Sequence, residues 1–517
     1  MERTGCRLRG LAALVLAGSL ATVPSAVSQK DPARFTVGFA DDLPKELGAT
    51  ATDAARALGA TSLRLTTRWS PGAVGLDSAE AARLDRALAA ASGLRVFLSV
   101  YGPAGASAPR DAASRESYCG FVRDLLLRYG SVRDVVIWNE PNTRLFWNPQ
   151  LDADGGSVAP AAYQALLARC YDVLHSAIPG VRVIGLALSG SGDDDAGSHS
   201  PGAFIRRLGD AYRASGRALP LFDAVAHHPY PADTDERPWT RHVGSGLIGQ
   251  GDWNKLMHNL QVAFGATGQP LPGACAGEVC PVIWYLESGF QTTVDEARAG
   301  SYTGRETEAT LLPPDAGGEP DTPPPPAGSP APDQRTQVTD AVRLAACQPH
   351  VAGILNFLLA DEPRLEGWQS GALWADGAGK PSAAAFRAVF AEAGSGRVDC
   401  AALKGGVPSS DYEPPAAPGR PVATVLPVPL RVELRWAAVP DPSAPVAYRV
   451  YRNGAHVATT PVSSWTDRSV APGAPSRYAV RVLDAAGNLG DASAEIAVEA
   501  PAPRSSPANA PAVDPAP

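Results

Sequence analysis

Lysine is nearly absent from this chain. Only Lys30, Lys45, Lys255, Lys380 and Lys404 occur among 45 basic residues, so arginine carries nearly all of the positive charge. Acidic residues number 53 and the net charge is −8. A surface of that sign excludes a nucleic-acid partner, which requires a basic face. Beyond the N-terminus no apolar run approaches the roughly 20 residues that cross a bilayer as a helix, so no membrane span is expected. No glycine-rich phosphate loop follows the first strand-like run, which argues against a doubly wound nucleotide-binding sheet. No histidine lies near the Cys275-x4-Cys280 pair to complete a zinc site, so neither metal nor cofactor is expected.

The N-terminus has the form of an export signal. Arg3, Arg7 and Arg9 precede the apolar stretch Leu11 to Leu20, and small residues follow through Ser28. The stretch is too short for an anchor, and Cys6 lies before it, badly placed for lipidation. Residues 1–28 are read as a cleaved signal peptide, and the mature chain as secreted and extracellular. Six cysteines then remain, an even number suited to disulfides in an oxidising compartment. Cys275 and Cys280 are close enough in sequence for a local staple.

Between Phe35 and Glu392, strand-like and helix-like stretches alternate. Apolar runs fall at Phe35–Phe39, Ser62–Leu65, Arg95–Val100, Asp134–Trp138, Val181–Leu186, Phe222–His227, Val282–Leu286 and Gly353–Phe357. Helical patterns separate them, among them Thr52–Leu58, Ser78–Ala91 behind the N-capping Asp77, Glu116–Tyr129, Pro160–Ile178 and Gln337–Cys347. Eight such pairs in about 360 residues is the count of a (β/α)8 TIM barrel, assigned here to residues 31–395. In that frame Cys119–Cys170 would join the third and fourth helices, and Cys347–Cys400 would tie the seventh to the segment after the eighth. Two connections are long. One contains Asp193-Asp194-Asp195, read as a solvated acidic turn. The other, from Ser288 to about Thr336, includes Pro323 to Pro326 and is read as an unstructured excursion beside the C-terminal face.

A Gly/Pro/Ser-rich linker (396–419) leads to a stretch of period-two alternation. Val432 to Trp436, Tyr448 to Tyr451 and Tyr478 to Val482 alternate, with turn signals at Asn453-Gly454 and Gly487-Asn488. Residues 420–500 are read as a small all-β sandwich that closely resembles a fibronectin type III module. It contains no carboxylate pair or histidine cluster, so it is read as a spacer or attachment module, dispensable for chemistry. The Pro/Ala-rich tail (501–517) is read as unstructured.

Two of the apolar runs end in a carboxylate. Val135-Val136-Ile137-Trp138-Asn139-Glu140 closes the fourth strand and Val282-Ile283-Trp284-Tyr285-Leu286-Glu287 the seventh. A carboxylate where a buried strand meets a loop is costly to place there without a purpose. In a TIM barrel the C-terminal strand ends converge on one pocket, so the two would face one another. Paired carboxylates are the minimum equipment for cutting a glycosidic bond. Trp147 and Trp374 are candidate sugar platforms, because an aromatic face packs on the C–H face of a pyranose.

These motifs resemble glycoside hydrolase clan A, most closely families 5 and 39. Trp138-Asn139-Glu140-Pro141-Asn142, followed by Phe146-Trp147, resembles the clan's acid/base segment. The resemblance covers almost the whole barrel. It implies Glu140 as acid/base, Glu287 as nucleophile of a retaining β-glycosidase, and Asn139 as partner of the sugar 2-hydroxyl. Arg64-Leu65-Thr66-Thr67-Arg68-Trp69 resembles the clan's strand-two stretch, with Arg64 holding the nucleophile ionised. His228-Pro229-Tyr230 resembles its His-x-Tyr pattern, with Tyr230 donating to Glu287. Strand eight departs from the pattern: Ile354 to Leu359 contains no tryptophan, so either Trp368 or Trp374 from the next loop substitutes or the innermost subsite is unusual. The implied partner is a carbohydrate, a β-linked polysaccharide or oligosaccharide, acted on by a monomer. The alternative is a non-catalytic carbohydrate-binding protein on a barrel that no longer turns over.

Overall fold

A computed structural model describes residues 35–103, 108–194, 197–274, 280–316, 332–444 and 446–501. The expected signal peptide, Asp195, Cys275, the Pro323–Pro326 run and nearly all of the C-terminal tail lie outside the described residues. Among the described residues no helix is long and apolar enough to cross a membrane.

Eight parallel strands close into a barrel: β1 (Thr36–Ala40), β2 (Ser62–Arg68), β3 (Arg95–Tyr101), β4 (Asp134–Ile137), β5 (Arg182–Ser189), β6 (Ala224–His228), β7 (Ile283–Ser288) and β8 (Val351–Asn356). Closure is through β1 and β8, with Val37 opposite Ile354 and Phe39 opposite Asn356. The helices are α1 (Leu43–Leu47), α2 (Ala49–Ala57), α3 (Ser78–Ala90), α4 (Ala112–Arg128), α5 (Ala159–Ala177), α6 (Pro201–Ala214), α7 (Trp253–Phe264), α8 (Gln334–Cys347) and α9 (Ala383–Gly394). This is the expected TIM barrel. The strands are largely apolar and mostly buried because each packs inward on the barrel core and outward on the helices. Phe97, Val136, Ile184, Trp284, Leu286 and Leu355 belong to the inner core. The Phe97 and Trp284 rings pack there at 4.9 Å, tilted 60° to one another. Tyr285, their neighbour on the other face, donates to Gln348 at 2.9 Å.

Helix starts follow their caps. Asp77 accepts from Glu80 N at the start of α3, as its sequence position indicates. The fourth helix begins earlier than expected because Asp111 accepts from Ser114 N in a reciprocal capping box. The helix pattern near Thr52 is preceded by a further short helix, and Gly48, at φ 55°, makes the corner between them.

Two bridges form as expected: Cys119–Cys170 joins α4 and α5, and Cys347–Cys400 ties α8 to the segment after α9. Each of the four lysines among the described residues meets a carboxylate: Lys45 with Glu80 at 2.6 Å, Lys255 with Asp252 at 3.2 Å, Lys380 with Asp361 at 2.7 Å and Lys404 with Asp340 at 3.0 Å.

C-terminal to the barrel lie two antiparallel sheets. The strands are β9 (Val422–Pro427), β10 (Leu430–Arg435), β11 (Ala447–Arg452), β12 (Ala455–Thr460), β13 (Ser464–Asp467), β14 (Pro475–Leu483) and β15 (Ile496–Glu499). They pair in the orders β13-β10-β9 and β12-β11-β14-β15. The period-two alternation turns Val432, Leu434, Tyr448, Val450, Tyr478, Val480 and Val482 into one shared core.

Candidate active site

Glu140 and Glu287 come together at the C-terminal mouth of the barrel. An oxygen of each, with His228 Nδ1, lies within 4.8 Å of the others. Glu287 sits near the end of β7 and is 8% exposed; Glu140 is half-buried.

Glu140 owes its position to backbone that no strand supplies. β4 stops at Ile137 because Trp138, at φ 70°, leaves the extended region, and Glu140 follows at φ 39°. Left-handed backbone at two non-glycine residues costs of order 1–3 kcal/mol each and persists only where the surroundings impose it. They do so here. Trp138 N donates to Val100 O at 3.0 Å and Trp138 Nε1 to Phe146 O at 2.8 Å. Glu140 N donates to Ala187 O at 2.9 Å. Two buried tyrosines brace the same turn from behind. Tyr118 OH donates to Val100 O at 2.7 Å, and Tyr163 OH to Ile137 O at 2.8 Å. Asn142 Nδ2 reaches the carbonyls of Ser191 and His199, pinning the loop after β5.

Glu287 is held from both sides. Arg64 Nη1 donates to its Oε1, and Tyr230 OH donates to its Oε2 at 3.0 Å. Arg64 is itself fixed, donating from Nη2 to Asn139 Oδ1 and from Nε to Ser99 Oγ, both at 2.7 Å. Burial opposes ionisation of Glu287. The positive charge facing it from His228 and Arg64, with the hydrogen bonds from Tyr230 and Arg64, outweighs burial, so its carboxyl is held below the usual glutamate value. Tyr230 is pushed well above the ordinary phenol by burial and by the two carboxylates beside it, and stays a donor.

His228 Nδ1 stands 2.9 Å from Glu140 Oε1 and 3.7 Å from Glu287 Oε2. Its side chain is wholly buried against the two carboxylates. Its neighbour His227 points outward, with Nε2 2.8 Å from Ile248 O.

Two expected sugar platforms are not platforms. Trp147 is fully buried, edge-on to Trp138 and Tyr163 at 5.6 Å each, and shows no face to the mouth. Trp374 is 3% exposed and lies over the Lys380 ammonium at 5.0 Å. It caps the buried Lys380–Asp361 pair, which Tyr302 completes by donating to Asp361 at 2.7 Å. A half-exposed aromatic beside Tyr230 is Trp368, 5.0 Å from the Tyr230 ring and 5.4 Å from that of Phe357. Across the mouth, half-buried Tyr101 ends β3, with the Phe146 ring edge-on at 5.7 Å and exposed Arg68 over it at 5.1 Å. Sequence reading missed Tyr101 and Ser99. Their positions toward the C-terminal end of a barrel strand were the available signal.

The three acidic and histidine groups Glu140, His228 and Glu287 also have the reach of a metal-ligand cluster. Arg64 and Tyr230 already occupy both Glu287 oxygens, so this donor set fits an organic substrate better than a cation.

No family model matches the chain. Among curated proteins, an α-amylase of Niallia circulans is 38% identical over 92 residues, 18% of this chain and 7% of that protein. Chitinase C of Streptomyces lividans is 36% identical over 84 residues, 16% of this chain and 13% of that one. The chain thus spans only a small part of these relatives' length. Among solved structures, the β-glucosidase BglU of Micrococcus antarcticus aligns over 71% of this chain and 98% of its own, at 13% identity and a TM-score of 0.42. An exo-β-1,4-mannosidase, Op5Man5, of an Opitutaceae bacterium aligns over 70% and 60%, at 14% identity and a TM-score of 0.43.

Proposed function

We propose that this chain is a secreted retaining glycoside hydrolase acting on a β-linked oligosaccharide or polysaccharide, with Glu287 as nucleophile and Glu140 as acid/base. The observation that carries this reading is the asymmetry of the two carboxylates. Glu287 receives a cation and a phenol, which keep it ionised and aimed. Glu140 receives only His228 and stands at the more open position. Retaining enzymes place these groups about 5–5.5 Å apart; here an oxygen of one lies within 4.8 Å of an oxygen of the other.

In the first step Glu287 attacks the anomeric carbon as Glu140 protonates the departing glycosidic oxygen. In the second, Glu140 takes a proton from water, which attacks from the face the leaving group vacated and displaces Glu287, so the β configuration is restored. Arg64 and Tyr230 stabilise the glutamate as it leaves. Asn139 Oδ1 is taken by Arg64, so its amide nitrogen is the group left for the sugar 2-hydroxyl. Trp368 offers the apolar face, in place of Trp147 and Trp374. The domain limits follow the sequence reading: barrel 31–395, linker 396–419, sandwich 420–500.

The test is a panel of aryl β-glycosides and β-linked polymers, with the anomer of the first product read by proton NMR. Turnover with a β-configured first product, abolished by Glu287→Gln, supports the reading. An inverted product overturns the mechanism. Sugar binding without turnover by the unaltered chain favours the non-catalytic alternative.

A further inference from the structure

The segment after β6 carries Tyr230 at its start and reaches the C-terminal sandwich before returning to α7. Ala232 N donates to Glu236 Oε2 at 2.7 Å, closing the turn that presents Tyr230 to Glu287. Glu236 Oε1 faces His242 Nε2 at 2.8 Å, and His242 Nδ1 faces Asp252 Oδ2 at 2.6 Å. With a carboxylate on each ring nitrogen, His242 is an imidazolium clamp; the Asp252 hydrogen bond, outweighing burial, raises its pKa above the ordinary histidine value. Asp252 also accepts His242 N at 2.8 Å and Gly249 N at 3.0 Å. Lys255 completes the charged cluster, donating to the carbonyls of His242 and Leu247.

The sandwich holds the residues on both sides of His242. Arg241 Nη1 donates to Ala486 O at 2.6 Å, and Arg449 Nη1, from β11, donates to Val243 O at 3.1 Å. At the start of α7 buried Asn254 donates to Ala486 O and, at 2.6 Å, to Asn488 Oδ1. These named bonds pair polar groups across the seam, which a detachable spacer does not require.

We infer that the C-terminal sandwich is a positioning element of the active site, acting through the His242 clamp on the Tyr230 turn. The inference rests on the glycosidase reading and replaces the expectation that the sandwich is dispensable. The chain of contacts is continuous: Ala486 and Arg449 to Arg241–Val243, His242 to Glu236, Glu236 to Ala232, and Tyr230 to Glu287. None of these groups except Tyr230 and Glu287 meets substrate. A shift well under 1 Å at Tyr230 weakens its bond to Glu287, which matters most as charge changes on that carboxylate.

The experiment uses the full chain with His242→Gln and, separately, Arg241→Ala with Arg449→Ala. Hydrogen exchange is followed at the Ala232 amide, and kcat and KM are measured on an aryl glycoside. Both variants should speed exchange at Ala232 and lower kcat about tenfold while KM stays within roughly twofold, with Arg449→Lys against the Arg241→Ala background recovering part of the loss. Unchanged exchange in the folded double variant overturns the linkage. Faster exchange with unchanged kcat overturns the positioning role. Lack of turnover by the unaltered chain counts against the glycosidase reading instead, and the exchange result still decides the linkage.

Discussion

The Trp368 ring lies 5.0 Å from that of Tyr230, the residue that donates to Glu287. The apolar surface and the catalytic charge therefore share a wall. Trp368→Ala should raise KM for an oligosaccharide roughly tenfold, with a smaller change in kcat. Trp147→Ala should act differently. It empties a fully buried site, costing about 3–5 kcal/mol of stability. Paired kinetics and thermal melts distinguish the two, and equal KM effects would refute the reassignment.

Glu140 and Glu287 should fail in distinct ways. Glu287→Ala removes the group that bonds to the sugar, so every substrate suffers. Glu140→Ala should keep its glycosylation step on an aryl glycoside with an acidic phenol and lose it on natural oligosaccharides, because only the poor leaving group needs a proton. Azide should rescue the Glu140 variant and give the β-glycosyl azide. Rescue that gives the β-azide with the Glu287 variant would reverse the roles.

The acid limb of kcat/KM should fall below pH 4.5, the ordinary glutamate value, because Glu287 is held ionised by its neighbours. A carboxyl with a lowered folded pKa stabilises the fold above its unfolded pKa, and that contribution disappears as pH falls through the folded value. Activity and stability should thus decline together at the acid end. Tyr230→Phe removes one donor and should move the limb upward. A limb that does not move in this variant would show that another group sets it.

Asp361 and Lys380 pair with no exposed side-chain surface on either. Asp361→Asn leaves the ammonium without a counter-charge and should cost about 3–5 kcal/mol. The pair ties Thr292 and Gln369 together through Lys380, so this loss also frees the segment carrying Trp368. Asp361→Leu with Lys380→Met should recover much of the melting temperature. A single variant as stable as the parent would mean that the pair contributes little.

The Cys119–Cys170 bridge closes a sequence separation of 51, for which chain-entropy arguments give about 4 kcal/mol. It joins α4 and α5, which carry the two tyrosines that hold the Glu140 turn. Cys119→Ala with Cys170→Ala should lower the melting temperature and also kcat. A fall in the first with none in the second would confine the bridge to stability.

The barrel was legible because each strand is a short apolar run, and neither long insertion disguises the count. The two carboxylates were legible for the same reason, since charge at the end of such a run is conspicuous. Boundaries drifted where a side chain, not a pattern, decided them, as at Asp111 and at the left-handed Trp138. The two tryptophans were misplaced because composition cannot say which way a loop folds over. Trp147 turns inward onto Trp138, while Trp368, with the same chemistry, remains at the mouth. The His242 clamp was invisible for a different reason: its partners Glu236 and Asp252 are ordinary loop residues until the chain returns to bring them together.

The scarcity of lysine acquires a practical meaning once its partners are known. Side-chain exposure is 4% for Lys45, 25% for Lys255, 0% for Lys380 and 15% for Lys404. The most accessible, Lys255, already donates to three backbone carbonyls. Amine-reactive dyes, crosslinkers and aldehyde supports therefore find no freely presented ε-amino group among the described residues, and a reagent forced onto one would break an ion pair before it marked a surface. Within the described residues, labelling or immobilisation falls to carboxylate or guanidinium chemistry.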